Sequence, residues 1–169
     1  MEMNVSIPVS FPDLSAFDDQ SRIWLFQLDR PLSDEVCNLI YNDVKTYVDS
    51  WQSHGDKVQA TTAVIANRFI LLLADERNTS VGGCSTDVMM RFIQHLQAEY
   101  KVNLLDRFLV YYIDGEEILS ANMHVLLQKI RNEELPADIL IFDALITTKS
   151  EFDSNWVKPL NQSWVKRFL

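Results

Sequence analysis

The fold is decided by the stretch Phe69-Ile70-Leu71-Leu72-Leu73-Ala74-Asp75, an unbroken apolar run that ends in a carboxylate. A short run without polar alternation is typical of a strand that is buried on both faces. We therefore place this segment at the centre of a β-sheet. Residues 58–66 are also β-like, and the Asn67-Arg68 pair between the two segments is short enough for a hairpin.

Strand and helix patterns alternate on both sides of this hairpin. Residues 22–28 form a short apolar and aromatic strand, and Ser33 is expected to cap a helix whose apolar residues repeat at a spacing of three and four. A second amphipathic helix is expected from about Thr86, and the next strand at residues 108–113. The order β-α-β-β-α-β predicts an α+β fold of the ferredoxin-like type, with a four-stranded antiparallel sheet and two helices on one face.

The chain has 169 residues, which suits one domain with a buried core. Residues 1–20, with Pro8 and Pro12, are predicted to be an irregular lead-in that packs on the body, and residues 21–114 to be the ferredoxin-like core. Residues 115–169 are predicted to form a C-terminal α/β extension. The sheet face that the two helices leave open must be covered by this extension or by a partner, and a homodimer is one such arrangement.

Capping residues divide the C-terminal extension into further elements. Ser120 can cap a third helix, residues 139–142 have the pattern of an apolar strand, and Thr148 and Glu151 have the spacing of a capping box. A short helix is therefore expected from Thr148. The aromatic side chains of the tail carry too much apolar area to remain in water, so we expect them to dock on the body: Phe152, Trp156, Trp164 and Phe168.

Charge and composition exclude several classes of function. The formal net charge is -9, which argues against a nucleic-acid backbone or an anionic membrane surface as the partner. No apolar stretch approaches the length of a membrane span, and residues 1–5 lack the basic start of a signal peptide. The two cysteines, Cys37 and Cys84, cannot build a disulfide framework, so we expect a reducing, cytoplasmic location.

The main candidate for a site is the loop Ser80-Val81-Gly82-Gly83-Cys84-Ser85-Thr86-Asp87, which leads into the second predicted helix. Free N–H groups and the helix dipole would stabilise a thiolate at Cys84. A nucleophilic thiol also needs a base, and His54 is the best candidate in the sequence. The alternative interpretation is that Cys84 is a small buried thiol that only packs.

The residues beside this thiol also allow two interpretations. Their backbone N–H groups could form a pocket for an anion, made by Gly82, Gly83, Ser85, Thr86 and Asp87. Alternatively, Thr86 or Asp87 only caps the helix, and the Asp87 carboxylate would repel a phosphate. Asp75 ends the central strand just before this loop, where sites in open sheets are common, so it is a candidate binding residue unless it is merely a solvated strand end.

No metal or cofactor site is predicted. Asp75 and Glu76 are adjacent in an extended segment, so their side chains should point apart, and no third ligand is evident. His54, His95 and His124 are scattered, and none of them has a His or Cys at the spacing of a zinc ligand.

Several segments together resemble a family from Bacteroidetes bacteria over nearly the whole chain. They are Ile7-Pro8-Val9-Ser10-Phe11-Pro12, Trp51-Gln52-Ser53-His54-Gly55, Ala74-Asp75-Glu76, Gly83-Cys84-Ser85-Thr86-Asp87, Asn155-Trp156 and Ser163-Trp164. Members of that family often carry the label ABC transporter ATPase. This sequence has no Gly-x-x-x-x-Gly-Lys-Ser/Thr loop, so it lacks the backbone cradle and the lysine that hold nucleotide phosphates. The resemblance implies a bacterial source and no function, and we expect no binding of nucleoside triphosphates.

Two functions from different classes follow from these patterns. The first is a non-catalytic domain that binds a small molecule or a protein. The second is a thiol-dependent enzyme or redox sensor that uses Cys84, with His54 as its base. The exposure of Cys84 and its position relative to His54 discriminate between them, because a nucleophile must be accessible and must have a base beside it.

Overall fold

Two antiparallel β-sheets pack face to face in the computed structural model of this protein. The structure describes residues 6–169, so the predictions that fall on residues 1–5 lie outside the described residues. In chain order the elements are β1 (Arg22–Gln27), α1 (Asp34–Asp49), β2 (Gln52–Ser53), β3 (Asp56–Lys57), β4 (Gln59–Ile65), β5 (Phe69–Asp75), α2 (Gly83–Tyr100), β6 (Leu109–Asp114), β7 (Glu117–Asn122), α3 (Met123–Arg131), β8 (Leu140–Phe142), α4 (Lys149–Asn155), β9 (Val157–Pro159) and two 3₁₀ segments, Leu160–Gln162 and Trp164–Phe168.

The long apolar run is the central strand, β5, of the first sheet, whose strand order is β1-β5-β4. Every residue of β5 is buried, and Leu71 pairs with Leu25 on one side and with Ala63 on the other. The predicted hairpin is confirmed, because β4 and β5 are antiparallel and Ile65 pairs with Phe69 across the turn.

Alternate residues of β5 contact two different cores. Ile70, Leu72 and Ala74 pack against α1 and α2. The residues between them, together with Phe69, pack against the second sheet. The strand is therefore covered on both faces, which explains why its sequence has no polar alternation.

The four-stranded ferredoxin-like sheet is not formed, because the strand order differs from the one that the sequence predicts. β6 does not pair with β1 but belongs to a second sheet with the order β7-β6-β8-β9. A local hairpin through Gly115, which has a φ of 63°, pairs β6 with β7 along its whole length. Beside β1 the Ile23 N–H donates to the Thr147 carbonyl at 2.8 Å. The fold is a mixed α+β fold with several antiparallel sheets.

The predicted division of the chain at residue 114 consequently falls inside the second sheet. β6 was expected in the core and the following residues in a separate extension, yet β6 shares its sheet with β7, β8 and β9. β7 occupies the residues where the third helix was expected to begin. That helix, α3, starts at Met123, and its cap is Asn122, whose side chain accepts the His124 N–H, so the predicted cap at Ser120 is wrong.

The outer layers are formed by helices. α1 and α2 cover the first sheet, while α3 and the 3₁₀ segments pack on Val110 and Tyr112 on the outer face of the second sheet. None of the helices within residues 6–169 is long and apolar enough to cross a membrane.

The tail docks on the body through Phe152 and Trp156, as predicted, and Trp164 is half-buried, but Phe168 is exposed, contrary to the prediction. Thr148 caps α4 by accepting the Glu151 N–H at 3.2 Å, and Phe152 and Trp156 are buried between the two sheets. The lead-in also packs on the body over residues 6–20, because the Phe11 ring lies edge-on to both of these aromatic rings.

Candidate functional site

The helix α2 begins at Gly83, earlier than the start near Thr86 that the sequence predicts. Its N-cap is Gly82, which has no side chain, and the chain entering the helix is held from outside because the Gly82 N–H donates to the Ser53 hydroxyl at 3.1 Å. Thr86 lies in the first turns of the helix, where its hydroxyl donates to the Gly82 carbonyl at 3.1 Å. Asp87 lies further along and is exposed. The predicted cap by Thr86 or Asp87 is therefore wrong.

Ser53 belongs to a small hairpin formed by β2 and β3, which follows directly after α1. Ser85 fastens this hairpin to the start of α2. Its hydroxyl accepts the indole N–H of Trp51 at 2.7 Å and donates to the carbonyl of Gln52 at 2.9 Å. Since Ser85 is buried and both of its hydrogen bonds are made within the chain, its hydroxyl holds structure rather than a ligand.

The turn of the small hairpin brings His54 to the same helix start. The backbone at His54 and Gly55 is left-handed, with φ of 53° and 83°. The imidazole lies against Gly82, where a Cβ atom would be 2.9 Å from Nε2 of His54, so the contact depends on glycine at this position. Cys84 is exposed, and Gly83 is open, with no atom within 4 Å of a Cβ built on it. His54 and Cys84 thus lie at one end of α2.

Asp75 does not join this group. Its carboxylate is 1% exposed and is held by Arg77, whose Nε is 3.0 Å from each carboxylate oxygen. The hydrogen bond from the Arg77 side chain holds the pKa of Asp75 below its usual value, although burial acts in the opposite direction. The carboxylate is therefore ionised and paired, which differs from the solvated strand end considered above. Its neighbour Glu76 closes the following loop by accepting the Val81 N–H at 2.8 Å.

No group of three or more His, Cys, Asp or Glu side chains within residues 6–169 is arranged to hold a metal ion. The histidines are separate from one another: His95 is exposed on α2, and His124 lies beside the ring of Phe108 at 5.6 Å between ring centres. Cys37 is buried in α1, where burial, followed by the charge of Asp34, raises the pKa of its thiol.

A second candidate site is a groove of about 670 Å³ between the end of β1, the loop from α2 to β6 and the C-terminal 3₁₀ segment. This volume is typical of small-molecule sites, which span roughly 300–1,000 Å³. A further cavity of about 550 Å³ lies between α1 and β4, and its lining is more polar, with Asp34, Asn38 and Asn67. The groove is lined by apolar and aromatic side chains, which include Leu105, Phe108, Leu109, Leu145, Trp164 and Phe168.

The large apolar side chains of the groove are unusually exposed. Leu145 is 60% exposed and Phe108 50%, and Leu105 and Phe168 are each 38% exposed. They come from three different segments of the chain and line one concave surface. Single exposed apolar residues are ordinary, whereas a contiguous apolar surface with a concave shape marks a place where another molecule binds.

Two arginines line the same groove. The guanidinium of Arg167 lies 5.0 Å above the ring of Phe168 and 5.9 Å from the ring of Trp164. Arg107 precedes Phe108 and is exposed. Neither arginine forms an ion pair with any residue of the described range. The carboxylate in the lining, that of Asp106, accepts the Phe108 N–H at 2.9 Å.

Gln27 is a polar residue in the wall of the groove. It is 7% exposed, and its Nε2 donates to the Leu109 carbonyl at 3.0 Å. That bond fixes the orientation of the amide, because a carbonyl accepts only from a donor. The other amide atom, Oε1, is buried and has no hydrogen-bond partner among residues 6–169.

Sequence reasoning missed the groove entirely. Its lining comes from segments between Leu25 and Phe168, so no local motif marks it. One signal was available: Leu105 and Phe108 are large apolar residues in the loop from α2 to β6, where such residues indicate contact with something other than the nearest element.

The chain matches no protein-family model, no curated protein and no solved structure. The geometry of the α2 start and of the groove therefore carries the functional argument. At the α2 start the side chains of Ser53 and Ser85 already have partners in the chain, whereas the groove has an open apolar wall and two arginines without acceptors among residues 6–169.

Proposed function

We propose that this protein is a non-catalytic binding module and that the groove of about 670 Å³ is its ligand site. The observation that carries the proposal is the convergence of exposed apolar side chains on one concave surface, above all Phe108 and Leu145. Covering such a surface removes apolar area from water, which is favourable in proportion to the area covered. The ligand is accordingly apolar over most of its length.

The experiment is a titration of the full-length protein with Nile red, a neutral dye whose fluorescence increases in apolar surroundings. We expect Phe108→Ala and Leu145→Ala each to weaken binding by about tenfold, since a contact with a large apolar side chain contributes on the order of 1.5 kcal/mol. Leu39→Ala is the matched control, because Leu39 is 51% exposed on α1 and does not line the groove. Equal affinities for all three variants would place the dye elsewhere and remove the support for this proposal.

A second candidate function is a thiol-dependent enzyme or redox sensor that uses Cys84. The observation that favours it is the contact of the His54 imidazole with Gly82, two residues before the exposed thiol. A histidine at that place could serve as the base that a nucleophilic thiol requires. The test is whether the alkylation rate of Cys84 falls when His54 is replaced by glutamine, as argued in the Discussion.

We also propose membership of the Bacteroidetes family and a cytoplasmic location. The first rests on the sequence resemblance, and the label ABC transporter ATPase is not part of it, because the sequence has no phosphate-binding loop with its lysine. The second is supported by the two free cysteines, Cys37 and Cys84. Immunoblotting of fractionated cells tests the location, and finding the protein outside the cytoplasmic fraction would refute it.

A further inference from the structure

We propose that the groove selects an amphipathic carboxylic acid, whose apolar chain lies against Phe108 and Leu145 and whose carboxylate pairs with Arg107 and Arg167. This inference rests on the proposed function, because it names the class of ligand for the same groove. An acid of this kind matches the two features of the lining, an extended apolar wall and guanidinium groups that have no acceptor among residues 6–169.

Two of the arginines differ from all the others in having no partner within the described chain. Arg107 and Arg167 have no hydrogen-bond acceptor and no ion pair within residues 6–169, and both line the groove. Each of the remaining arginines donates to a carboxylate or to a backbone carbonyl: Arg22, Arg30, Arg68, Arg77, Arg91 and Arg131. The unengaged guanidinium groups of the chain are thus concentrated in its apolar groove.

The sign of the local charge points to an anionic ligand. The chain as a whole has a net charge of -9, which repels anions from its surface in general. In the lining of the groove, two guanidinium groups stand against one carboxylate, that of Asp106, so positive charge is in excess there. An anion is therefore better accommodated in the groove than over the acidic surface as a whole.

The position of Arg167 suits a carboxylate. Its guanidinium lies over the ring of Phe168 at 5.0 Å, a cation–π contact that leaves its N–H donors available for an acceptor. These donors match the two oxygens of a carboxylate, and such charge-assisted bonds are stronger than neutral ones. Small inorganic anions fit the proposal less well, because they would leave the apolar wall uncovered.

The test compares ligands that share one apolar chain and differ in the head group: dodecanoate, dodecanol and dodecyltrimethylammonium. Each is titrated into the full-length protein by Nile red displacement, with calorimetry as a second readout. We expect dodecanoate to bind about tenfold more tightly than dodecanol, which corresponds to one charge-assisted pair, and the cationic ligand to bind most weakly.

Variants of the arginines sharpen the test. Arg107→Gln and Arg167→Gln should each weaken dodecanoate binding by about three- to tenfold while changing dodecanol binding by less than about twofold. Lys166→Gln is the matched control, since Lys166 is exposed in the same 3₁₀ segment and does not line the groove. An equal loss of dodecanoate affinity in Lys166→Gln would mean that any nearby positive charge has the same effect, and the inference would be overturned.

The outcomes separate this inference from the proposed function. Equal affinities for dodecanoate and dodecanol, with both lost in Leu145→Ala, would overturn the choice of an acid and keep the groove as an apolar site. If none of the three ligands and not even Nile red bound, both the proposed binding function and the inference of an acidic ligand would be refuted. A dimer in sedimentation velocity that dissociates in Phe108→Ala would show that a second copy covers the groove, and this too would overturn the inference.

Discussion

The start of α2 and the groove differ in how far their own groups are already satisfied. At the α2 start the Ser85 hydroxyl bridges Trp51 and Gln52 within the chain. In the groove, Arg107 has no acceptor among the described residues, and Leu145 is 60% exposed. A folded chain pairs the polar groups that hold it together and buries its apolar side chains. Unpaired polar groups and exposed apolar side chains that line one cavity therefore indicate a binding site.

The two regions show that residues of reactive types can have a structural role. The sequence around Cys84 is rich in groups that catalysis can employ, yet the Ser85 hydroxyl and the Gly82 N–H fasten a hairpin to a helix. The groove has no motif at all, and its residues are unremarkable one by one. Function is more directly indicated by groups without partners than by groups with reactive side chains.

The largest expected effect tests whether the α2 start is structural. Ser85→Ala should lower the free energy of unfolding by about 2 kcal/mol, because the buried Trp51 N–H and the Gln52 carbonyl would both lose their partner. Urea denaturation followed by tryptophan fluorescence measures this. Ser154→Ala is the control, since the exposed Ser154 hydroxyl bonds only within its own helix. A loss no greater than that of the control would show that Ser85 is free for another role.

A smaller effect is expected at Asp75, and it should depend on pH. Arg77 holds the folded-state pKa of Asp75 below its usual value of about 4. The pair therefore stabilises the fold at pH values above the usual pKa, and this contribution is lost as the pH falls through the folded-state pKa. Asp75→Asn should therefore be less stable than the natural chain at neutral pH, and the difference should shrink in acid.

The size of this effect is limited by Arg77, whose side chain is largely exposed, so that solvent screens the pair. Asp87→Asn is the control, because Asp87 is exposed near the same loop and its carboxylate accepts no hydrogen bond within residues 6–169. Chemical denaturation at neutral and acidic pH compares the variants. A stability difference for Asp75→Asn that stays constant with pH would contradict the assignment of an ionised, paired carboxylate.

The parts of the fold that the sequence predicts are those determined by local chemistry. Ser33 caps α1 by accepting the Val36 N–H, and the hairpin between β4 and β5 follows from its short turn. The partner of β6 is not local. Val110 and Tyr112 contact one layer while Tyr111 and Ile113 contact another, so the strand is apolar on both faces and its sequence does not indicate which sheet it joins.

The two candidate sites likewise depend on long-range packing that the sequence does not indicate. The sequence offers His54 as the candidate base for Cys84, and the structure brings its imidazole to the α2 start. His54 is positioned by a hairpin of two-residue strands, in which the Ser53 hydroxyl accepts the Gly82 N–H. Strands this short have no pattern that the sequence alone reveals. Arg107 and Arg167 could not be paired by sequence at all, since only the packing of the C-terminal segment brings both into the lining of one groove.

The groove should contribute little to stability, in contrast to the α2 start. Leu145→Ser should change the free energy of unfolding by about 0.5 kcal/mol or less, because a side chain that is 60% exposed loses little packing. Leu39→Ser, at a similarly exposed position, should behave in the same way. Thermal and urea denaturation test both variants. A loss of about 2 kcal/mol in Leu145→Ser alone would mean that the groove wall is part of the core, and the comparison between the two regions would fail.

The smallest expected effect concerns the thiols. With iodoacetamide at neutral pH, followed by mass spectrometry, Cys84 should be alkylated well before Cys37. Cys84 is exposed, whereas Cys37 is 5% exposed and the pKa of its thiol is raised by burial and by Asp34. Early labelling of Cys37 would contradict this order.

The variant His54→Gln then decides between the two functions proposed for the protein. If the α2 start is structural, this substitution should change the alkylation rate of Cys84 by less than about twofold, because the reactivity of the exposed thiol then does not depend on His54. If His54 serves Cys84 as a base or as a cationic partner, the rate should fall by about tenfold or more, since the thiolate is the reacting form. His95→Gln, which removes an exposed imidazole in the middle of the same helix, is the control for a change of charge. A fall confined to His54→Gln would favour the thiol-dependent enzyme or sensor over the non-catalytic module.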